Sequence, residues 1–99
     1  MTLCFDIDDT ILYCNYDNAE YTLDGANEEL INRINYLYDK GATIILHTGR
    51  HWNNFMKTKK QLEFYGVKYH TLICGKPVAD YYIDDKGISP EKFLAAMKK

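Results

Sequence analysis

The chain has 99 residues, 46% hydrophobic and 26% charged, with a formal net charge of -2. That length predicts one domain, residues 1–99; the charge leaves no basic footprint for nucleic acid; and no run approaches the ~20 apolar residues of a membrane span. Cys4, Cys14 and Cys74 form neither an even framework nor a Cys-x-x-Cys pair, and the start has no charged n-region or long apolar h-region, so a reduced, cytoplasmic protein without a signal peptide is expected. Cys4 and Cys74 sit in apolar runs and are expected to be buried thiols.

Residues 3–7 are short and apolar and read as a first strand. Residues 11–23, rich in Tyr, Asn and Asp without a helical period, read as a hairpin or flap. Asp24-Gly25 reads as a turn and helix start, after which Ala26, Leu30, Ile34 and Leu37 recur at helical spacing and Ile31 widens the stripe. Lys40-Gly41 closes that helix. Residues 43–46 are β-branched and apolar on both faces, the pattern of a buried parallel strand. A helix is expected over 53–65, with Phe55, Leu62 and Tyr65 inward, Lys57, Lys59 and Lys60 outward, and Gly66 ending it. Residues 69–74 and the very short 81–83 read as further strands. Ser89-Pro90-Glu91 opens a last helix carrying Phe93, Leu94 and Met97.

Strands alternating with helices predict an α/β fold with a central, mostly parallel sheet between helical layers. Ligands of such sheets bind at the carboxyl edge of the strands. Four motifs follow predicted strand ends and converge there: Asp6-Ile7-Asp8-Asp9-Thr10, Thr48-Gly49-Arg50, Lys76-Pro77 and Asp84-Asp85. Asp6 and Asp8 are two positions apart, so an extended chain points both the same way. Three carboxylates in four positions repel one another unless a cation intervenes, and a hard divalent ion with oxygen ligands, Mg2+ best of all, answers that need. An ionised carboxylate needs no base to act as a nucleophile. A second acid can protonate the leaving oxygen and later take a proton from water. Lys76 and Thr48 are suited to matching charge on a transferring phosphoryl group.

These residues, in this order, resemble the haloacid dehalogenase superfamily of phosphatases and phosphotransferases. Its Asp-x-Asp-x-Thr motif is matched by Asp6, Asp8 and Thr10, its Thr or Ser by Thr48, its lysine by Lys76 and its acidic pair by Asp84 and Asp85. The resemblance implies a three-layer Rossmann-like fold and hydrolysis of a phosphomonoester through an aspartyl-phosphate. It makes Asp6 the nucleophile and Asp8 the general acid/base, with Thr48 and Lys76 binding the phosphoryl group. Thr10, Gly49 and Arg50 are further candidates for substrate contact. Mg2+ would be held by Asp6, Asp8 through its backbone carbonyl, and an acid of Asp84 and Asp85. Family phosphatases often have Gly where this chain has Asp9. Neither the interval from Thr10 to Thr48 nor that from Thr48 to Lys76 has room for a cap domain, so the chain resembles small capless members acting on sugar phosphates, capsule polysaccharide precursors or nucleic-acid ends. A small phosphorylated substrate, a sugar phosphate or nucleotide, is favoured over nucleic acid, and a homo-oligomer is a candidate source of a lid.

Weaker signals each have two readings, with packing the favoured one for the aromatic residues. His47 reads as a residue beside the site or as a packed side chain. Arg50 and His51 read as reaching a substrate anion or as surface charge at a helix start. Lys86 is read as pairing with the acidic cluster. Trp52, Tyr13, Tyr16 and Tyr21 read as packing or as a stacking surface for a ring. Two other functions use similar groups: a phosphorylatable receiver-like signalling domain, which places its acidic pair before the acceptor aspartate, and a catalytically inactive interaction module of the same fold.

Overall fold

The computed structural model describes residues 1–17, 20–75 and 87–97. Strand β1 (Thr2–Asp6) leads into an antiparallel pair, β2 (Leu12–Asp17) and β3 (Glu20–Ala26). Helix α1 (Glu28–Asp39), strand β4 (Thr43–His47), a 3-10 turn (Trp52–Asn54), helix α2 (Phe55–Phe64), strand β5 (Thr71–Ile73) and helix α3 (Pro90–Met97) follow. The chain is thus α/β with a Rossmann-like parallel sheet, in the order β1-β4-β5. The predicted strand at 81–83 lies outside the described residues.

Register fixes where chemistry can gather. Asp6 pairs with His47, and His47 with Ile73, so the three strands end level with one another. The backbone continues that alignment past the strands: Thr48 N–H donates to the Ile73 carbonyl at 3.0 Å, and Gly75 N–H to the Arg50 carbonyl at 2.8 Å. Residues 8, 48 to 50 and 75 are therefore brought to one edge.

Alternation along β1 and β4 turns Phe5, Ile44 and Leu46 into one core with Leu72. Leu30, Ile31, Ile34 and Leu37 of α1 complete it, as the helical stripe predicts, together with Leu62 of α2 and Phe93 of α3. Phe93 meets Phe5 edge-on at 5.2 Å. Asn27 begins α1 by accepting the Leu30 N–H on Oδ1 at 3.2 Å, and Ser89 does the same for the Lys92 N–H of α3. Gly41 and Gly66 follow α1 and α2 with φ of 99° and 67°.

Three expectations change. The flap is a true hairpin pair that runs to Ala26, beyond residue 23. Gly25 and Ala26 pair with Tyr13 and Leu12, so they extend β3 instead of starting a helix. Cys4 is exposed, because it alternates away from the Phe5 side of β1. Conversely, Thr58 and Gln61, two polar residues of α2, are buried.

Between β1 and β4 lie the hairpin and α1, and between β4 and β5 the 3-10 turn and α2. No cap domain is inserted in either interval among the described residues. None of the described helices is long and apolar enough to cross a membrane.

Candidate active site

Asp6 ends β1 half-buried, with Oδ1 accepting the Ile7 N–H at 3.0 Å. Beyond it the chain turns on a single acceptor. The Ile7 carbonyl takes N–H groups from Thr10, Ile11 and Leu12, while Asp9 N–H donates to the Leu12 carbonyl at 2.8 Å. Asp9 adopts φ 60° in this turn, which is a conformation glycine takes without strain. The turn seats Ile7 and Ile11 in the core and leaves the Asp8 side chain 30% exposed.

The Asp8 carboxylate is gripped from within. Thr48 Oγ1 donates to Oδ2 at 2.9 Å, and the Arg50 fork donates to Oδ1 from Nη2 at 2.7 Å and from Nε at 3.1 Å. Thr48 is fully buried, and its hydroxyl also accepts the Arg50 N–H at 3.1 Å. A hydroxyl has one hydrogen to give. In this arrangement Thr48 gives it to Asp8.

Arg50 fits neither reading of the sequence. It is 1% exposed, so it is not a surface charge, and its donors turn inward instead of toward a substrate anion. Nη1 donates to Thr58 Oγ1 at 3.1 Å and to Gln61 Oε1 at 2.6 Å; Nη2 also reaches Cys14 Sγ at 2.9 Å. With Nε on Asp8, the five N–H donors of the guanidinium all have protein acceptors. The Tyr21 ring covers its face, 4.2 Å from Cζ. Each partner is held in turn: Thr58 donates to the Asn54 carbonyl at 2.8 Å, and Gln61 Nε2 to the Tyr21 carbonyl at 3.0 Å. Burial pushes the Cys14 thiol up from its ordinary range, with the Arg50 charge pulling the other way. Burial likewise raises Cys74.

The clue to this cluster was in α2. Thr58 and Gln61 share the inward stripe with Phe55, Leu62 and Tyr65, and polar groups on a buried stripe need a polar partner.

Other candidates fall into place around this centre. Gly49 is exposed beside the buried Thr48 and Arg50, and Thr10 is half-buried in the turn after Asp8. His51 caps the 3-10 turn through Nδ1, which accepts the Asn53 N–H at 3.2 Å. Trp52, 53% exposed, stacks on Phe55 and lies over Gly75, whose φ is 85°. Tyr13 is exposed on the hairpin. An open groove of about 450 Å³, lined by Leu23, Lys57, Lys60, Gln61 and Phe64, runs between hairpin and α2. Lys76, Asp84, Asp85, Lys86 and the Tyr16 ring lie outside the described part of the chain. Among the described residues, no three His, Cys, Asp or Glu side chains form a metal-holding group. The oxygen donors that are described, Asp6 and the Asp8 carbonyl, are of the hard type that Mg2+ accepts.

Comparison with known proteins agrees with this architecture. A crystal structure of a protein from Vibrio cholerae superposes with a TM-score of 0.73 over 95% of this chain and 87% of its own, at 21% identity. No curated protein matches the chain. The family model of the haloacid dehalogenase-like hydrolases matches residues 3–99, almost end to end. With that match over nearly its whole length, the chain belongs to the haloacid dehalogenase-like hydrolases.

Proposed function

We propose that the protein is a Mg2+-dependent phosphomonoesterase that works through an aspartyl-phosphate on Asp6. One observation carries the reading: Asp6 stands at the strand end while Asp8, two residues on, has its carboxylate fixed by Thr48 and Arg50 yet still 30% exposed. A nucleophile beside an oriented acid/base is the minimum needed for two-step phosphoryl transfer.

In the first step an Asp6 oxygen attacks phosphorus and the bond to the ester oxygen breaks. That oxygen takes the proton of Asp8. In the second step Asp8, now a carboxylate, removes a proton from water as the water attacks phosphorus. The Asp6–phosphorus bond breaks, and inorganic phosphate leaves with Asp6 restored. Lys76 would balance charge on the phosphoryl oxygens. Asp6, the Asp8 carbonyl and an acid of Asp84 and Asp85 would hold Mg2+, which when bound supplies charge neutralisation at those oxygens.

The favoured substrate is a small sugar phosphate or nucleotide, because the net charge of -2 gives no overall basic excess to draw in a polyanion. With no cap domain among the described residues, selectivity would come from the hairpin or from a second copy of the chain.

Phosphate release from a panel of esters tests the reading. The expected result is release that needs a divalent cation and falls at least about 1,000-fold in Asp6→Asn. Activity that survives Asp6→Asn would sink the proposal, and so would activity indifferent to a chelator. A stable phosphorylated protein after acetyl phosphate treatment would instead favour the signalling function.

A further inference from the structure

We infer that Arg50 is a positioning residue: it sets the orientation of the Asp8 acid/base and makes that orientation depend on how the β2–β3 hairpin is seated. The inference rests on the phosphatase reading above and assigns Arg50 a role other than substrate contact.

A guanidinium with no exposed atoms is held only where charge and hydrogen bonds compensate its lost water. Here the compensation comes from three separate parts of the chain. The turn after β1 supplies Asp8, α2 supplies Thr58 and Gln61, and the hairpin supplies Cys14 Sγ and the Tyr21 ring. A residue that only pinned α2 to the sheet would not need a fork. The fork matters because Nε and Nη2 together engage the carboxylate edge, which blocks its rotation, while Thr48 fixes Oδ2. Lysine, a single point charge, cannot reproduce that grip. Gln61 closes the circuit: Oε1 holds Nη1 and Nε2 holds the Tyr21 carbonyl, so a shift of β3 is transmitted to the guanidinium and from it to Asp8.

The role predicts a specific kinetic defect. Proton donation by Asp8 is needed when the leaving group is an alkoxide. It is dispensable when the leaving group is a stable phenolate. Proton removal from water is needed in both cases. Loss of Arg50 should therefore damage the first step only for alkyl phosphates and the second step for every substrate.

Arg50→Lys and Arg50→Met are compared with the unaltered protein on an alkyl phosphate and on 4-nitrophenyl phosphate, in Mg2+. The expected result is kcat on the alkyl ester lowered about 100-fold or more with KM little changed. On the aryl ester, nitrophenolate should appear as a burst of one per site followed by slow turnover. Equal losses on both esters without a burst would overturn the inference, and so would a raised KM with kcat intact, which would make Arg50 a substrate ligand. If those variants fail to fold, Gln61→Leu carries the test, since it removes one Arg50 acceptor and leaves the contact with Asp8. It should show a milder defect of the same kind, with a burst on the aryl ester, and equal losses on both esters without a burst would again overturn the inference. Release of phosphate from neither ester by the unaltered protein would overturn the phosphatase reading itself.

Discussion

Asp9 is the only described non-glycine residue with positive φ, at 60°. An L-residue in this region is strained by about 1–2 kcal/mol, with Asp and Asn the most tolerant after glycine. Asp9→Gly should therefore leave stability within about 1 kcal/mol, because relief of strain and greater freedom of the unfolded chain offset each other. Asp9→Val should lower it by about 1–3 kcal/mol, as β-branching is poorly accommodated there. Urea unfolding of the two variants gives the comparison, and a Val variant as stable as the parent would show that the turn is not held at this φ. The same residue shows what sequence can and cannot convey. The family habit of glycine at that position was visible in the sequence, but the positive φ that explains it emerges only from the fold of the turn. Arg50 was not readable in the same way. Its motif named it as a cation near the edge, but its direction depends on acceptors eight and eleven positions later, on the inward stripe of α2.

Helix α1 was the most readable element, since its buried residues Leu30, Ile31, Ile34 and Leu37 follow one stripe and its Lys40-Gly41 ending is local chemistry. Its beginning was misjudged because Asp24-Gly25 has the composition of a turn, whereas pairing of Leu12 with Ala26 keeps the chain extended until Asn27. Tertiary pairing overrode a local signal there. Asn27 is the actual cap, and Asn27→Ala should cost about 1 kcal/mol, or a fall of about 4–8 °C in Tm. Thermal unfolding followed by circular dichroism decides it, and no change would mean that water satisfies the Leu30 N–H equally well. The hairpin was recognised as a flap from its lack of helical period, but its anchorage was not. Cys14 and Tyr21 carry no signal in isolation that their partner is a buried arginine.

The whole molecule is built so that ionisation of buried neutral groups works against the fold. Cys14, Tyr69 and Cys74 all have their acid forms favoured, in each case chiefly by burial, with the Glu63 charge adding to the effect at Tyr69. A raised folded-state value means that the native protein binds more protons than the unfolded chain in the alkaline range. The contribution of these groups is complete below their ordinary values, near 9.0 for Cys and 10.0 for Tyr, and is lost as pH rises through the folded values. Tm should consequently decline above about pH 9, and Cys74→Ala should make that decline shallower. A melting temperature that rose between about pH 8.5 and 10.5 would contradict this account. The parallel sheet was readable at this level, and with it the meeting of the Asp6 and Thr48 motifs at one edge, because parallel strands force all carboxyl ends to one side. The openness of the Cys4 face was not, since an apolar-looking run does not say which of its alternating residues finds a neighbour.

The contact between Gly75 and Trp52 has a consequence for anyone redesigning the molecule. A Cβ on residue 75 would come within 3.0 Å of the indole Nε1, so the small residue and the large one are matched as a pair. The Gly75 N–H meanwhile holds the main-chain oxygen of residue 50, whatever side chain that residue bears. That main-chain contact asks nothing of the side chain at position 50, whereas position 75 must stay glycine, because its φ of 85° and the indole above it both exclude a Cβ.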